Sequence, residues 1–392
     1  MKRHLAILAA VPAILCAGST LEIPQNASPE ARIVRSISDL RQATPGQALG
    51  QIDTVLQDKP AFHLARLIRG DLLAVRGGSL LQKFGNSASA AKVEPLRQEA
   101  KARIGRYTDS SWKSGVPGYF IELPADVHSA ILVDIRRSRL FLYKRQGGQW
   151  RLENDWYTSS GRQEGEKRSE GDARTPIGAY VAQTLIPKAK LTDFYGSGAY
   201  PLNYPSTWDR LQKRSGHGIW IHGSPTSTYS RPPKASGGCV VLSNPDFETL
   251  GKSIEPGHTP VVVTDGAQWV PSNRFEAERN ELLGAVENWR KAWESRDVDR
   301  FLTWYGTAFR SGTGQDLSTW EEQKRKVNSG KSYIQVAISE VRAVVVPEAQ
   351  PLVQVDFRQI YRSNNLNNDM HKRQYWKRED GAWRIVYEGD AQ

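Results

Sequence analysis

The spacing of apolar residues divides this 392-residue chain into regions of different character. Leu5 to Ala17 form an uncharged apolar run behind the basic start Met1-Lys2-Arg3-His4. Residues 19–45 are polar, apart from a short apolar pattern at Ile33, Val34, Ile37 and Leu40. From 46 to 106 the spacing predicts helices. Leu49, Ile52, Val55 and Leu56 share one helical face, and Leu64, Leu67, Ile68 and Leu72 share another. Pro60 separates the two and Gly77-Gly78 follows them. A helical hairpin of this kind cannot bury its own apolar face. It needs neighbouring helices, the next domain or a partner protein as cover.

After Tyr119 the pattern becomes that of strands. Residues 130–134 and 140–144 flank a polar Arg136-Arg137-Ser138 turn and predict a hairpin. Further strands are expected at 150–158, 178–183, 218–222, 239–242 and 260–264, with a charged, glycine-bearing loop at 161–173. Ser243 or Asn244 with Pro245 starts a short helix. Together these predict a mainly β domain over 115–266, with Gln268 to Arg274 as a linker. A helix over 275–295 follows, and a second after Asp297. Ala285, Trp289, Ala292 and Trp293 lie on one face, while Phe301, Trp304 and Tyr305 form another apolar cluster. Four strands are expected at 333–346, 351–362, 369–378 and 382–388. In the second, Leu352, Gln354, Asp356, Arg358 and Tyr361 interleave with Val353, Val355, Phe357 and Ile360. Helices followed by a curved antiparallel sheet give an α+β domain over 275–392.

Composition supports a folded chain, with 39% hydrophobic and 24% charged residues. The net charge of +11 admits nucleic acid, an anionic membrane surface or an acidic polymer as partners. The basic residues are spread out and no nucleic-acid module is recognisable, so no nucleic-acid partner is expected. The N-terminal run, followed by the small residues of Cys16-Ala17-Gly18-Ser19, has the layout of a secretory signal peptide over 1–18. Leu15 is too large for the usual lipoprotein cleavage pattern, which disfavours lipidation of Cys16. No other segment approaches transmembrane length. The mature protein is expected in the periplasm or cell envelope, beginning with a helical region over 19–112.

Two cysteines exclude a disulfide framework and a zinc ribbon. Removal of the signal peptide takes Cys16 and leaves Cys239 as a lone thiol. Cys239 sits in Ser236-Gly237-Gly238-Cys239-Val240-Val241, 17 residues after His222 of Gly218-Ile219-Trp220-Ile221-His222-Gly223. A thiol near an imidazole can lose its proton and form a nucleophilic thiolate held as an ion pair. Gly237 and Gly238 allow close backbone approach, and N–H groups around Cys239 can hold an oxyanion. The spacing alone leaves a second reading open, a buried structural cysteine and a core histidine. The other histidines show no metal-ligand spacing, so no metal and no cofactor is expected.

These two segments resemble the signature of the YkuD-type L,D-transpeptidase domain, a His-Gly segment before a Ser-X-Gly-Cys segment. Gly171-Asp172-Ala173-Arg174-Thr175-Pro176-Ile177-Gly178-Ala179-Tyr180 is similar to a further family stretch. Tyr195-Gly196 and Leu202-Asn203-Tyr204-Pro205 fall at comparable places. The resemblance covers roughly 115–266 and implies a β-sandwich-like catalytic domain. It implies Cys239 as nucleophile, His222 as general base and the Gly223 carbonyl as the group that orients the imidazole. It places Ser236, Gly237, Gly238 and Tyr204 at the substrate. Many members have His where Gly237 stands, and Asn or Arg where Val241 stands. Asp172 and Arg174 are expected to shape a loop, and His217 to face away from His222. The helical pair before the domain resembles a tetratricopeptide-type unit. The C-terminal domain resembles an NTF2-like cone, as found in envelope proteins that affect cell shape. The resemblance rests on residues 286–293, 297–299, 304–305 and 381–385. Its aromatic cluster is expected to be packing rather than a ligand cage.

The fold class expected is multidomain: N-terminal helices, a mainly β catalytic domain and a C-terminal α+β cone. The function implied is acyl transfer on peptidoglycan tetrapeptide stems through a Cys239 thioester, with an amine acceptor. Water as acceptor makes the same machinery an L,D-carboxypeptidase. An amidase that releases peptidoglycan-bound lipoprotein is a third outcome, and an envelope scaffold with a degenerate catalytic domain is the non-enzyme alternative. A protein partner is expected, if anywhere, at the N-terminal helices or the NTF2-like domain.

Overall fold

Apolar residues at helical spacing build four N-terminal helices in the computed structural model, which describes residues 28–39, 45–79, 85 and 90–391. The expected signal peptide, Cys16 and Leu40 lie outside these residues. The helices are α1 (Pro29–Asp39), α2 (Pro45–Asp58), α3 (His63–Arg76) and α4 (Ala90–Thr108). Ile52, Val55, Leu64, Ile68 and Leu72 of the hairpin are buried with Ile33 of α1 and Ala100 of α4. Tyr229 of the β region packs against the same cluster. The chain itself therefore covers the apolar face that the sequence left open.

The β-rich region runs through β1 (Val116–Pro117), β2 (Phe120–Glu122), β3 (Ser129–Asp134), β4 (Arg139–Gln146), β5 (Gln149–Tyr157) and β6 (Ser160–Gly161). It continues through β7 (Gly178–Val181), β8 (Ile186–Pro187), β9 (Gly198–Pro201), α5 (Thr207–Leu211), β10 (Trp220–His222) and β11 (Lys234–Ser236). It closes with β12 (Val240–Val241), α6 (Asn244–Gly251), β13 (Pro260–Thr264) and β14 (Trp269–Val270). A five-stranded sheet has the order β5-β4-β3-β13-β7, and a four-stranded sheet the order β12-β10-β9-β8. Ile131, Val133, Leu140 and Leu142 of the first pack with Tyr200, Ile221 and Val240 of the second. Every residue of β3 is buried, because its other face (Ala130, Leu132) packs on the C-terminal domain. Burial on both faces explains the unbroken apolar run at this strand.

The C-terminal domain contains α7 (Ser272–Glu294), α8 (Val298–Leu302), β15 (Tyr305–Ser311), α9 (Leu317–Ser329), β16 (Ile334–Val346), β17 (Leu352–Ser363), β18 (Asn367–Glu379) and β19 (Ala382–Asp390). Its sheet has the order β15-β19-β18-β17-β16-β2, with helices packed on one face. The whole is N-terminal helices, a β-rich region and an α+β domain. Four details differ from the sequence expectation. The 268–274 segment is structured rather than a linker, since Trp269 and Val270 pair with Pro117 and Val116, and α7 begins at Ser272. Phe120 to Glu122, placed with the β region, completes the C-terminal sheet by pairing with β16. Strand β15 and helix α9 carry no strong period and were not expected. Tyr361 joins Val353, Val355 and Phe357 in the core under the helices, the face that strict alternation gives it, and not the face of Leu352, Gln354, Asp356 and Arg358 with which it was grouped.

The two folded units share a core. Phe120, Leu132, Phe141 and Tyr143 pack with Val344, Leu352, Tyr375 and Tyr387. Polar bonds reinforce it. The Trp208 backbone N–H donates to Tyr375 Oη (3.1 Å), and Arg214 Nη1 pairs with Glu348 Oε1 (2.7 Å).

Candidate active site

Strands β10 and β12 run parallel, with Ile221 opposite Val240 and His222 opposite Val241. Residues opposite each other in a parallel ladder share a face, and faces alternate along each strand. Cys239, one residue before β12, is thereby opposite Trp220 and on the His222 face. The sheet register brings together residues 17 apart in sequence. The turn before Cys239 is closed by Ser236, whose Oγ donates to the Cys239 carbonyl (2.6 Å) and accepts from Gly238 N–H (3.0 Å). Gly238 has φ +131°, and a Cβ there would lie 2.7 Å from the Arg174 carbonyl oxygen. Only glycine fits. Gly237 has open space around it. It is the position at which the family often carries His.

His222 is fully buried, and its Nδ1 lies 2.7 Å from the Gly223 carbonyl. A carbonyl only accepts, so Nδ1 carries the hydrogen and the neutral ring presents an acceptor lone pair at Nε2. Nε2 is buried and has no hydrogen-bond partner. Gly223 is itself fixed, its N–H donating to Gly198 O (3.3 Å). Asn244 Oδ1 accepts from Ser197 N–H (2.9 Å) and stands where a Cβ at 223 would go. The rings of Tyr195 and Phe194 flank the imidazole at centroid distances of 5.1 and 5.9 Å. Burial pushes the His222 pKa down to about 4; the Arg231 charge assists and the Gly223 carbonyl opposes.

Cys239 is half-buried. Its thiol donates to Gly218 O at 3.4 Å, and its sulfur accepts from the Trp220 backbone N–H. Burial raises the thiol pKa, against the Trp220 bond and the charges of Arg231 and Lys167. The resting pair is therefore neutral near pH 7. The sequence argument anticipated a thiolate–imidazolium pair; desolvation of both groups overrides it. No hydrogen bond joins Sγ to Nε2 here, and catalytic bonds of this type tighten on substrate binding. The arrangement suits proton transfer during attack, from a thiol to an imidazole already holding its lone pair toward the site.

Other expected residues have structural work. Ser236 uses its hydroxyl within the turn that precedes Cys239. Tyr204, expected at the substrate, is a core residue. It packs edge-on against Tyr180 at 6.0 Å and donates its hydroxyl to Ser215 O at 2.9 Å. Asp172 knits the 167–174 loop. Its Oδ1 accepts from Lys167 Nζ (2.8 Å) and its Oδ2 from Arg168 N–H (2.8 Å). Burial works against it, yet Lys167 and three backbone N–H groups hold its carboxyl down to about 2. This loop forms the wall behind Gly238. His217 is exposed beside Glu170 (3.3 Å), ahead of β10 rather than within a strand. Arg231, Phe194 and Asn244 were not singled out from sequence as site residues. Arg231 lies between His222 and Cys239, but one arginine among 53 basic residues carries no signal of its own. In the C-terminal domain Trp289, Trp293, Phe301, Tyr305 and Phe357 form a buried aromatic core.

Residues 128–263 match the L,D-transpeptidase catalytic domain family, YkuD. Residues 281–389 match the Cds6 C-terminal NTF2-like domain family. No curated protein matches the chain. Among solved structures, Bd1075 of Bdellovibrio bacteriovorus is similar at 26% identity and a TM-score of 0.61, over 71% of this chain and 99% of that one. The helical cell shape determining protein Pgp2 of Campylobacter jejuni shares the fold at 22% identity and a TM-score of 0.60, over 69% of this chain and 95% of its own. The chain thus carries an L,D-transpeptidase catalytic domain followed by a Cds6-type NTF2-like domain.

Proposed function

We propose that this protein is an exported envelope enzyme that transfers acyl groups on peptidoglycan tetrapeptide stems. The observation that carries the reading is the His222 ring. Gly223 fixes its tautomer, and its free Nε2 lies on the sheet face of the only cysteine among the described residues. In the proposed step Cys239 Sγ attacks the carbonyl joining the third stem residue to the terminal D-alanine. The thiol proton passes to His222 Nε2. The C–N bond breaks, the imidazolium returns the proton to the departing amine, and a thioester remains. An acceptor amine then attacks the thioester, giving a cross-link and restoring the thiol. Backbone N–H groups at the nucleophile turn are suited to hold the oxyanion. A role in cell shape accords with the fold shared with Pgp2, a helical cell shape determining protein. Export rests on the basic and apolar N-terminus of the sequence. Among the described residues no helix is long and apolar enough to cross a membrane.

The test is product analysis with tetrapeptide muropeptides. Wild type should give dimers joined between two third residues, and Cys239→Ala none. Tripeptide without dimers would instead make water the acceptor. Identical products from the two proteins would end the enzymatic reading for this substrate.

A further inference from the structure

Between His222 and Cys239 the chain makes an excursion that reaches the N-terminal helices. Tyr229 N–H donates to Ala61 O (3.1 Å) in the connection that leads into α3. The Tyr229 ring packs against Phe62 at 4.6 Å, tilted by 44°. Ser230 Oγ donates to Glu99 Oε1 of α4 (2.6 Å). Tyr157 Oη, at the end of β5, donates to the Arg231 carbonyl (2.8 Å). Arg103 of α4 lies over the rings of both Tyr157 (3.9 Å) and Phe62 (5.1 Å), tying these anchors together. The 229–231 segment is held at once from the α2–α3 connection, α4 and β5.

The Arg231 side chain points to the site. Its guanidinium lies 4.4 Å from the Phe194 ring centroid, and Phe194 packs on His222. Phe194 is 49% exposed, an aromatic surface beside the His222 ring. Arg231 interacts electrostatically with both Cys239 and His222. Among the described residues no carboxylate pairs with it. Elsewhere the buried arginines are neutralised: Arg103, Arg139, Arg214 and Arg373 each hold a carboxylate. The other cation acting on Cys239, Lys167, is committed to Asp172. A partly desolvated guanidinium without a counter-ion is unfavourable unless an anion arrives with the ligand.

We propose that Arg231 binds a carboxylate of the acyl donor beside the nucleophile, and that the N-terminal helices are the scaffold that positions it. This deepens the acyltransfer reading and rests on Cys239 being the reactive thiol. The donor class is a peptide ending in a free α-carboxylate one residue beyond the attacked carbonyl. At that spacing the carboxylate reaches a cation at the rim while the carbonyl reaches Sγ. With its guanidinium carbon over the Phe194 ring and no carboxylate partner among the described residues, Arg231 suits a bidentate contact with an incoming carboxylate.

A first measurement is independent of any peptide substrate. Alkylation of Cys239 in the full chain is followed with anionic iodoacetate and neutral iodoacetamide at one pH. Arg231→Gln should lower the ratio of the iodoacetate rate to the iodoacetamide rate by about tenfold, because a higher thiol pKa slows both reagents alike and cancels in the ratio. Arg231→Lys should restore part of the preference. Arg162 is exposed and also acts electrostatically on Arg231. If Arg162→Gln lowers the iodoacetate preference as much as Arg231→Gln, the effect is a general field and the proposal falls. Ser230→Ala keeps Arg231 but removes its tether to α4, and should lower the preference in part. An unchanged preference would overturn the positioning role. Thermal melts and circular dichroism of each variant establish that it is folded. The second measurement compares tetrapeptides ending in D-alanine and in D-alanine amide. Arg231→Gln should raise KM for the acid by about tenfold or more, with a much smaller effect on the amide. Equal effects on both would overturn carboxylate recognition. If wild type processes neither peptide, the acyltransfer reading fails, while the alkylation ratio still decides whether Arg231 selects anions at the thiol.

Discussion

Cys239 and His222 are both forced toward neutrality by burial, and this fixes how the thiol should respond to pH. A thiolate–imidazolium pair gives an alkylation rate that is already high and flat from about pH 5 to 8. Here the thiol pKa is raised and His222 is down to about 4. The iodoacetamide rate should therefore climb with pH through the ordinary thiol range, about 8.5, and beyond, with no plateau near neutrality. A rate that is flat between pH 5 and 8 would contradict the neutral pair. The acid limb of kcat/KM for the acyl transfer should lie near pH 4, because only below that value does His222 lose its lone pair. The glycines give a second test. Gly238→Ala places a Cβ 2.7 Å from the Arg174 carbonyl at φ +131°, and should cost about 2–4 kcal/mol of stability and most thiol reactivity. Gly237→Ala meets nothing within 4 Å and should change melting by less than about 1 kcal/mol. Cys239, His222 and Gly223 were picked out in sequence because they stand in short runs that resemble a known signature, and the sheet register brings Cys239 to the His222 face. Arg231 and Phe194 were not, because their relevance comes from a loop path that sequence spacing does not encode. Tyr204, expected at the substrate, lies buried against Tyr180, because a residue within a recognised stretch can also serve the core that supports it.

Among the elements, long strands with a clear alternation were readable, and short ones were not. Strands β16 to β19 fall within a few residues of their expected limits. Strand β2 spans three residues, Phe120 to Glu122, too short to show a period. Yet it joins the two folded units, pairing with β16 while Phe120 is buried in the shared core. The same core holds Tyr375, whose hydroxyl accepts from the Trp208 N–H of α5. Surface shared in this way makes the two units unfold together. Calorimetry of the full chain should show one transition for the β-rich region and the C-terminal domain. Phe120→Ala should shift that transition as a whole, by about 3–5 kcal/mol, since it removes a fully buried aromatic ring. Two separated transitions, only one of them moved by the substitution, would show that the shared core does not couple the units.

Across the whole molecule, the N-terminal helices dock through buried charge. Arg103 of α4 pairs with Glu99 of the same helix and with Glu30 of α1, and Arg139 of β4 pairs with Glu30 and with Asp155 of β5. Arg106 of α4 completes the network by donating to both Asp155 oxygens, at 2.7 and 2.6 Å. Desolvation makes such a network a weak source of net stability, but removal of one member leaves the others buried and unpaired. Arg139→Met should therefore cost about 3–5 kcal/mol at neutral pH. Hydrogen exchange should locate the loss in α1, α4 and the 229–231 segment, which hangs on Glu99. The pH dependence has a definite sign. Burial raises the Asp155 pKa, but Arg139 and Arg106 outweigh it and leave the carboxyl below its usual value. The stability it contributes is fully present above its unfolded pKa, about 3.9, and is lost as pH falls through the lower folded value. Asp155→Asn should accordingly melt well below wild type at pH 7. The gap should begin to close below about pH 4, where the unfolded chain takes up the proton, and vanish only below the lower folded value, where wild type too carries a neutral side chain at 155. A gap that stays constant from pH 7 to pH 3 would mean that packing at this position, and not the charge, holds the helices against the sheet that carries the thiol.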